Sequence, residues 1–249
     1  MLVIFSTLLF SCDNREPADK EPVNKPQAEK RMDSVSAEIS KARAFQQKGQ
    51  YEQALAITDS MIKQFPGQLD ALTIKAEILK LQNKPVESLA LLEKAYSLQP
   101  RDKELAYDLA YEYADLKNLK VLALTDTLIK YDKTETVARA WYVKATYYNN
   151  LGKEKEALRY YDSSKIADFN FLDAYLDQGQ LLFKQKKYEA ALKTFAIAQK
   201  ISPATADFYF WVAKTQEALG QKQDAKTNYK RAYALDKSMT EAKQAADRL

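Results

Sequence analysis

The side chains available for chemistry in this sequence of 249 residues are carboxylates, amines, hydroxyls and amides, because histidine is absent and Cys12 is the only cysteine. Without histidine, no imidazole can activate a serine or cysteine nucleophile or bind a metal. A single cysteine excludes an internal disulfide and a cysteine-rich zinc or iron–sulfur site. The five glycines are at least 18 residues apart, so the chain has neither a dinucleotide-binding fingerprint nor a phosphate-binding loop. We therefore predict no catalytic residue, no metal and no cofactor.

One class of enzyme stays open, since some hydrolases use only a pair of carboxylates. Asp173 and Asp177 are four residues apart and would share a face of a helix. A general acid of this kind needs an apolar pocket that raises its pKa, and the surrounding pattern does not indicate one. We therefore expect these acids to be solvated and the protein not to be an enzyme.

The overall composition favours a helical protein with an ordinary charged surface. Glycine occurs only 5 times, while 46% of the residues are apolar and 29% are charged. The 38 basic and 34 acidic residues give a net charge of +4, and no block of five or more basic residues occurs. We therefore predict no nucleic-acid partner.

The segment from Met1 to Ser11 carries no charge, and the composition turns polar directly after Cys12. This arrangement resembles the signal peptide of a lipoprotein from a Gram-negative bacterium. The resemblance implies cleavage after residue 11 and an acylated Cys12 that anchors the protein, with the outer membrane facing the periplasm as the expected location. The segment is shorter than the about 20 residues of a membrane-spanning helix. It also lacks the usual basic start, and a buried first strand or helix is the alternative.

Residues 12–32 are rich in proline and charge and contain few large apolar side chains. Such a segment cannot bury enough apolar surface to fold alone, so we expect a flexible tether ahead of a folded part at 33–249. Three tripeptides, at 33–35, 59–61 and 126–128, also resemble a glycosylation sequon of the Bacteroidetes. This weak similarity bears only on the origin of the chain.

From residue 35 onward, the sequence repeats with a period of 34 residues and one step of 35. Each copy has a small residue, then a larger one three residues later in most copies, and a turn residue four residues after that. The small residues are Ala42, Ala76, Ala110, Ala145, Gly179 and Ala213. The turn residues are Gly49, Asn83, Lys117, Gly152, Lys186 and Gly220. This spacing predicts a helix, a left-handed turn and a second helix in each copy.

The pattern resembles the tetratricopeptide repeat, a helix–turn–helix unit of 34 residues. In the fifth copy, the family's signature positions are occupied by Tyr175, Gly179, Tyr188, Ala191, Phe195, Ala198 and Pro203. The resemblance implies an all-α, right-handed superhelical solenoid of about six repeats. Their predicted bounds are 35–68, 69–102, 103–136, 138–171, 172–205 and 206–239, followed by a capping helix at 240–249.

The third copy is degenerate, because Leu122 and Asp126 stand where a small and an aromatic residue are expected. One extra residue also precedes the fourth copy. We expect either a local change of superhelical twist between residues 117 and 137 or an imperfect but well-packed helix pair.

In the tetratricopeptide family, the first helix of each repeat lines a concave groove, which implies a partner-binding surface here. The residues mapped onto it are Tyr107, Tyr111, Arg139, Tyr142, Asn149, Asn150, Phe183 and Phe210. The tyrosines offer rigid amphipathic surface, and the asparagine amides can pair with an extended peptide backbone. Packing between neighbouring helices is the alternative for each tyrosine.

These features predict a non-enzymatic, membrane-anchored scaffold or assembly factor whose partners are other envelope proteins or peptides. A periplasmic carrier of carbohydrate or lipid is the alternative, because an aromatic groove can also stack on sugars. A cell-wall hydrolase using carboxylates alone is the least favoured hypothesis.

Overall fold

The computed structural model describes residues 25–131 and 136–249, with side chains from residue 32 onward. Within these ranges, the chain forms thirteen α-helices and no strand. Twelve of the helices form six successive pairs, one for each predicted repeat, although α1 begins ten residues before the predicted start of the first repeat and α7 one residue before that of the fourth. The pairs are α1 (Lys25–Gln47) with α2 (Tyr51–Gln64), α3 (Leu69–Leu81) with α4 (Pro85–Leu98), α5 (Lys103–Asp115) with α6 (Lys120–Tyr131), α7 (Val137–Asn150) with α8 (Glu154–Ala167), α9 (Leu172–Lys184) with α10 (Tyr188–Ile201), and α11 (Ala206–Ala218) with α12 (Lys222–Leu235). The last helix, α13 (Thr240–Arg248), packs on α12.

The packing of these pairs confirms the predicted solenoid. Each second helix packs on the first helix of its own repeat and on the helix that follows it. First helices also touch one another, as α1 with α3, α5 with α7, and α9 with α11. The predicted small residues are all buried, which allows the axes of paired helices to approach closely. The first helices therefore lie along the inside of the curve and form the concave groove.

All six predicted turn residues adopt the left-handed backbone conformation. Their φ angles are +71° at Gly49, +59° at Asn83, +55° at Lys117, +72° at Gly152, +59° at Lys186 and +78° at Gly220. In every case the amide of this residue donates to the carbonyl three residues back, and the next amide donates five residues back. This pair of hydrogen bonds is the Schellman motif, which satisfies the last carbonyls of a helix. Three copies thus have a non-glycine residue at a position whose left-handed backbone conformation glycine adopts at the lowest cost.

We expect Lys186→Gly to raise the free energy of unfolding by about 0.5 kcal/mol. A left-handed conformation costs a non-glycine residue about 1–2 kcal/mol, and the greater freedom of glycine in the unfolded chain offsets part of the gain. Urea denaturation would measure the effect. The control is Lys193→Gly, at an exposed position inside α10, where glycine should destabilise by about 1 kcal/mol; equal effects at both positions would contradict the prediction.

Helix α1 begins at Lys25, eight residues inside the segment predicted to be a flexible tether. The prediction is therefore wrong for residues 25–32. Proline is accepted in the first turn of a helix, where Pro26 stands, and the following residues favour helix by propensity. The predicted signal peptide, the acylated Cys12 and residues 12–24 lie outside the described residues.

The degenerate third repeat forms a helix pair like the others. Leu122 is partly buried against the core cluster around Leu109 and Val143. Asp126 is exposed and accepts a hydrogen bond from Lys144 Nζ of α7 at 2.6 Å. The pair is thus well packed, which favours the second of the two alternatives. A change of twist over residues 117–137 stays a prediction, because part of this stretch lies outside the described residues.

Candidate functional site

The middle of the concave groove is built from α5, α7 and α9, which bring Tyr111, Arg139 and Tyr142 together. The rings of Tyr111 and Tyr142 are tilted, with centroids 6.3 Å apart. The Arg139 guanidinium lies 5.4 Å from the centroid of the Tyr111 ring and donates to Glu104 Oε2 at 2.8 Å. All three predicted residues are partly exposed. They form an amphipathic surface with one cation beside two aromatic rings.

The hydroxyl of Tyr142 connects α7 to α9, because it donates to Asp177 Oδ2 at 2.8 Å. Burial raises the pKa of Tyr142, and the charge of Asp177 raises it further. Burial also raises the pKa of Asp177 above its ordinary value, although the hydrogen bond from Tyr142 partly opposes this shift. Asp177 is thus half-buried, contrary to the expectation that it is solvated, while Asp173 is exposed as expected.

We expect Asp177→Asn to stabilise the protein at neutral pH, raising the Tm by about 1–3 °C, since about 1 kcal/mol corresponds to 2–4 °C in chains of this size. The native state holds the Asp177 proton more tightly than the unfolded state, so wild-type stability falls as pH rises above 3.8 through the raised pKa. Asparagine cannot ionise and avoids this loss. Thermal unfolding from pH 3.5 to 7 would test it, with Asp33→Asn, exposed in α1, as the control. An advantage that grows as pH falls would contradict the prediction.

Tyr107 was predicted to face the groove, and this prediction is wrong. Its side chain is fully buried, at 0% exposure, in a cluster with Leu128 and Ala140. Its hydroxyl donates to the carbonyl of Thr136 at 2.6 Å. The Arg139 guanidinium covers the ring at 4.4 Å from its centroid. Tyr107 therefore supports Arg139 from below and offers no face to a partner.

The two asparagines at the end of α7 have different surroundings. Asn150 Nδ2 donates to the carbonyl of Ala114 at 3.1 Å, so this amide joins α7 to α5. Asn149 and Thr146 lie close to the buried Tyr161 hydroxyl, and these polar side chains lower a Tyr161 pKa that burial raises. Both asparagines are partly exposed. Their pairing with a peptide backbone stays a prediction.

Phe183 and Phe210 are partly exposed and meet through Trp211, toward the C-terminal end of the groove. The centroid of the Trp211 ring lies 5.8 Å from that of Phe183 and 5.9 Å from that of Phe210, both in edge-on geometry. Trp211 also stacks on the buried Phe195, with ring centroids 5.6 Å apart. Trp211 thus links Phe183 and Phe210 to the core. The sequence signal for this role was the position of Trp211 directly after Phe210.

Charged side chains of α3 and α5 form a network, in which Asp108 and Glu112 were not assigned to the groove from sequence. Lys80 Nζ lies 2.7 Å from Glu112 Oε1 and 3.4 Å from Asp115 Oδ2. Arg139 Nη2 lies 3.8 Å from Asp108 Oδ1. Asp108 and Glu112 are four residues apart, and this spacing was the only sequence signal for the pair.

The described part of the chain has neither a cluster of metal-binding side chains nor a membrane-spanning helix. No group of three or more histidine, cysteine, aspartate or glutamate side chains is placed to hold a metal ion there. None of the helices in 25–131 and 136–249 has the length and apolar character needed to cross a membrane.

Two family models, both of the tetratricopeptide repeat, match the sequence. One matches residues 39–119 and 176–240, and the other matches residues 138–164. Together they cover parts of every helix pair described above. A curated relative, anaphase-promoting complex subunit 7 of Arabidopsis thaliana, is 26% identical over 188 residues. The match covers 70% of this chain but only 32% of that protein.

Solved structures share the fold at low sequence identity. A tetratricopeptide repeat protein from Parabacteroides merdae has a TM-score of 0.66 at 18% identity, with 92% of this chain and 86% of that one covered. PilW, described as a widely conserved type IV pilus biogenesis factor, has a TM-score of 0.66 at 20% identity, with 84% and 96% covered. Pseudomonas aeruginosa pilF has a TM-score of 0.61 at 15% identity, with 88% and 99% covered.

Proposed function

We propose that this chain, which belongs to the tetratricopeptide repeat family, is a non-enzymatic scaffold or assembly factor that holds an extended segment of a partner protein in its concave groove. The observation that carries the proposal is the half-buried trio of Tyr111, Arg139 and Tyr142 at the centre of the groove. Tyrosine and arginine are the side chains that most often dominate binding energy at protein interfaces.

The surrounding contacts support this role because they fix the trio before any partner arrives. Arg139 is held by Glu104, and Tyr142 is held by Asp177. Asn150 ties α7 to α5. Side chains that are already ordered lose little conformational entropy on binding, so more of the contact energy contributes to affinity.

The comparisons agree with an assembly role without identifying a process. PilW is described as a pilus biogenesis factor, and the Arabidopsis relative is a subunit of a multiprotein complex. The solved structures are all below 25% identity and support the fold alone. The chain spans about a third of the length of the curated Arabidopsis relative.

The proposal also includes a lipid anchor at Cys12 and a place in the cell envelope, at the outer membrane facing the periplasm. Two or three acyl chains would hold the protein stably at a membrane, whereas one would not. Metabolic labelling with a palmitate analogue should mark the wild type and not Cys12→Ser. A variant that stays labelled and membrane-bound would contradict the anchor.

In-cell crosslinking followed by affinity purification tests the groove. We expect defined partner proteins to copurify with the wild type and to fall about tenfold or more with Tyr111→Ala/Tyr142→Ala. The matched control is Tyr131→Ala, which removes a tyrosine that is 69% exposed on α6, outside the groove. Circular dichroism must show that all variants are folded. Equal recovery with the groove variant would place the interaction elsewhere on the molecule.

A further inference from the structure

A cavity of about 230 Å³ opens between α3, α4 and α5, beside the centre of the concave groove. Its polar lining includes Glu77, Lys80, Ser88, Asp108, Tyr111 and Glu112. We call it the acidic cavity, since three of these residues are carboxylic acids and one is an amine. A water molecule occupies about 30 Å³ in the liquid, so the cavity has room for a side chain of a partner.

Two buried polar atoms of the acidic cavity have no hydrogen-bond partner among the residues that the structure describes. Glu112 Oε1 is 2.7 Å from Lys80 Nζ, but Glu112 Oε2 is unpartnered, and the Glu112 side chain is only 3% exposed. Ser88 Oγ is also unpartnered, at 1% exposure. A carboxylate oxygen can only accept a hydrogen bond. Native proteins leave few buried polar atoms unpaired, so these two atoms favour a hydrogen-bond donor from outside the described residues.

The charge of the acidic cavity favours a donor that is also a cation. Three carboxylates, those of Glu77, Asp108 and Glu112, face two cations. Lys80 is paired with Glu112, and Arg139 is 3.8 Å from Asp108 but shared with Glu104. Glu77 accepts a hydrogen bond from the neutral amide of Gln46, so negative charge remains in excess. Burial raises the pKa of Asp108, while the charge of Arg139 lowers it and those of Glu104 and Glu77 raise it. A neutral donor would satisfy Glu112 Oε2 but would leave the excess negative charge in place. A cation does both.

We propose that the acidic cavity binds the basic side chain, lysine or arginine, of a partner segment in the groove. The inference rests on the proposed function, because the cavity opens beside the trio that would hold the segment. Ammonium or guanidinium hydrogens would donate to Glu112 Oε2 and Ser88 Oγ. The ring of Tyr111, which lines the cavity, would lie against the cation or its aliphatic stem.

The first test needs no knowledge of the partner. The probe is Nα-acetyl-arginine N-methylamide, titrated into the full chain by NMR, with the neutral citrulline analogue as its control. We expect the arginine probe to shift resonances of α3, α4 and α5 and the citrulline probe to bind at least about fivefold more weakly. Glu112→Gln should remove the preference for the arginine probe. Glu77→Gln should do the same, and because the Glu77 side chain is exposed, this substitution should leave the fold unchanged. Glu87→Gln, an exposed acid of α4 outside the cavity, should retain the preference.

The result that overturns the inference is equal binding, or no binding, of the two probes. A second experiment separates this failure from failure of the proposed function. Random dodecapeptides displayed on phage are selected on the wild type, on Glu112→Gln and on Tyr111→Ala/Tyr142→Ala. Basic peptides that lose enrichment in Glu112→Gln support the cavity. Peptides whose enrichment depends on Tyr111 and Tyr142 but that show no preference for basic residues would contradict the proposed role of the acidic cavity and would still support partner binding in the groove. An absence of tyrosine-dependent peptides overturns both.

Discussion

Tyr107→Ala is expected to lower the free energy of unfolding by about 3–5 kcal/mol, the usual range for a large aromatic residue removed from a core. The substitution empties a fully buried site between Leu128 and Ala140. It also removes the hydrogen bond to the Thr136 carbonyl and the ring beneath the Arg139 guanidinium. The damage should concentrate at the junction of the third and fourth repeats, because a solenoid is stabilised by contacts between neighbours.

The control for this prediction is Tyr111→Ala, four residues further along the same helix. Tyr111 is partly exposed, so its loss should cost clearly less stability while weakening partner binding. Hydrogen exchange should accompany denaturant unfolding, since a repeat array need not unfold in one step. Equal stabilities of the two variants would mean that Tyr107 faces the groove, as the sequence mapping predicted.

The error at Tyr107 shows what the repeat pattern can determine. The period correctly predicts the helix pairs, the buried small residues and the left-handed turns, because each depends on residues close together in one copy. Which ring of α5 is covered depends instead on packing by neighbouring helices: Leu128 of α6 and Ala140 of α7 bury Tyr107, whereas Tyr111, one turn further along α5, stays partly exposed. The Arg139 guanidinium, which comes from the next repeat, lies over both rings.

The acidic cavity was unpredictable for a related reason. Lys80 and Glu112 are 32 residues apart, and Ser88 comes from a second helix, which the mapping treated as structural. Their meeting depends on the stacking of two repeats. The same holds for Asp177, whose burial follows from the neighbouring Tyr142 and not from its own helix.

Gly179→Ala is expected to destabilise the protein by about 2 kcal/mol, although alanine favours a helix interior over glycine by about 1 kcal/mol. Gly179 lies in the middle of α9, where a Cβ atom would come 2.4 Å from Cε1 of Phe195. That ring is fully buried and stacked on Trp211, so it cannot move aside without disturbing the core. Urea denaturation of the purified variant would give the change in stability.

A double-mutant cycle with Phe195→Leu tests the cause of this loss. Phe195→Leu alone should destabilise the protein by creating space, but in its presence Gly179→Ala should cost little or become favourable. The other five repeats carry alanine at this position and accommodate its methyl group in the core. If Gly179→Ala costs the same with either residue at 195, the ring is not what requires glycine. A coupling of about 1 kcal/mol or more would mean that the close approach of α9 and α10 depends on this single missing methyl group.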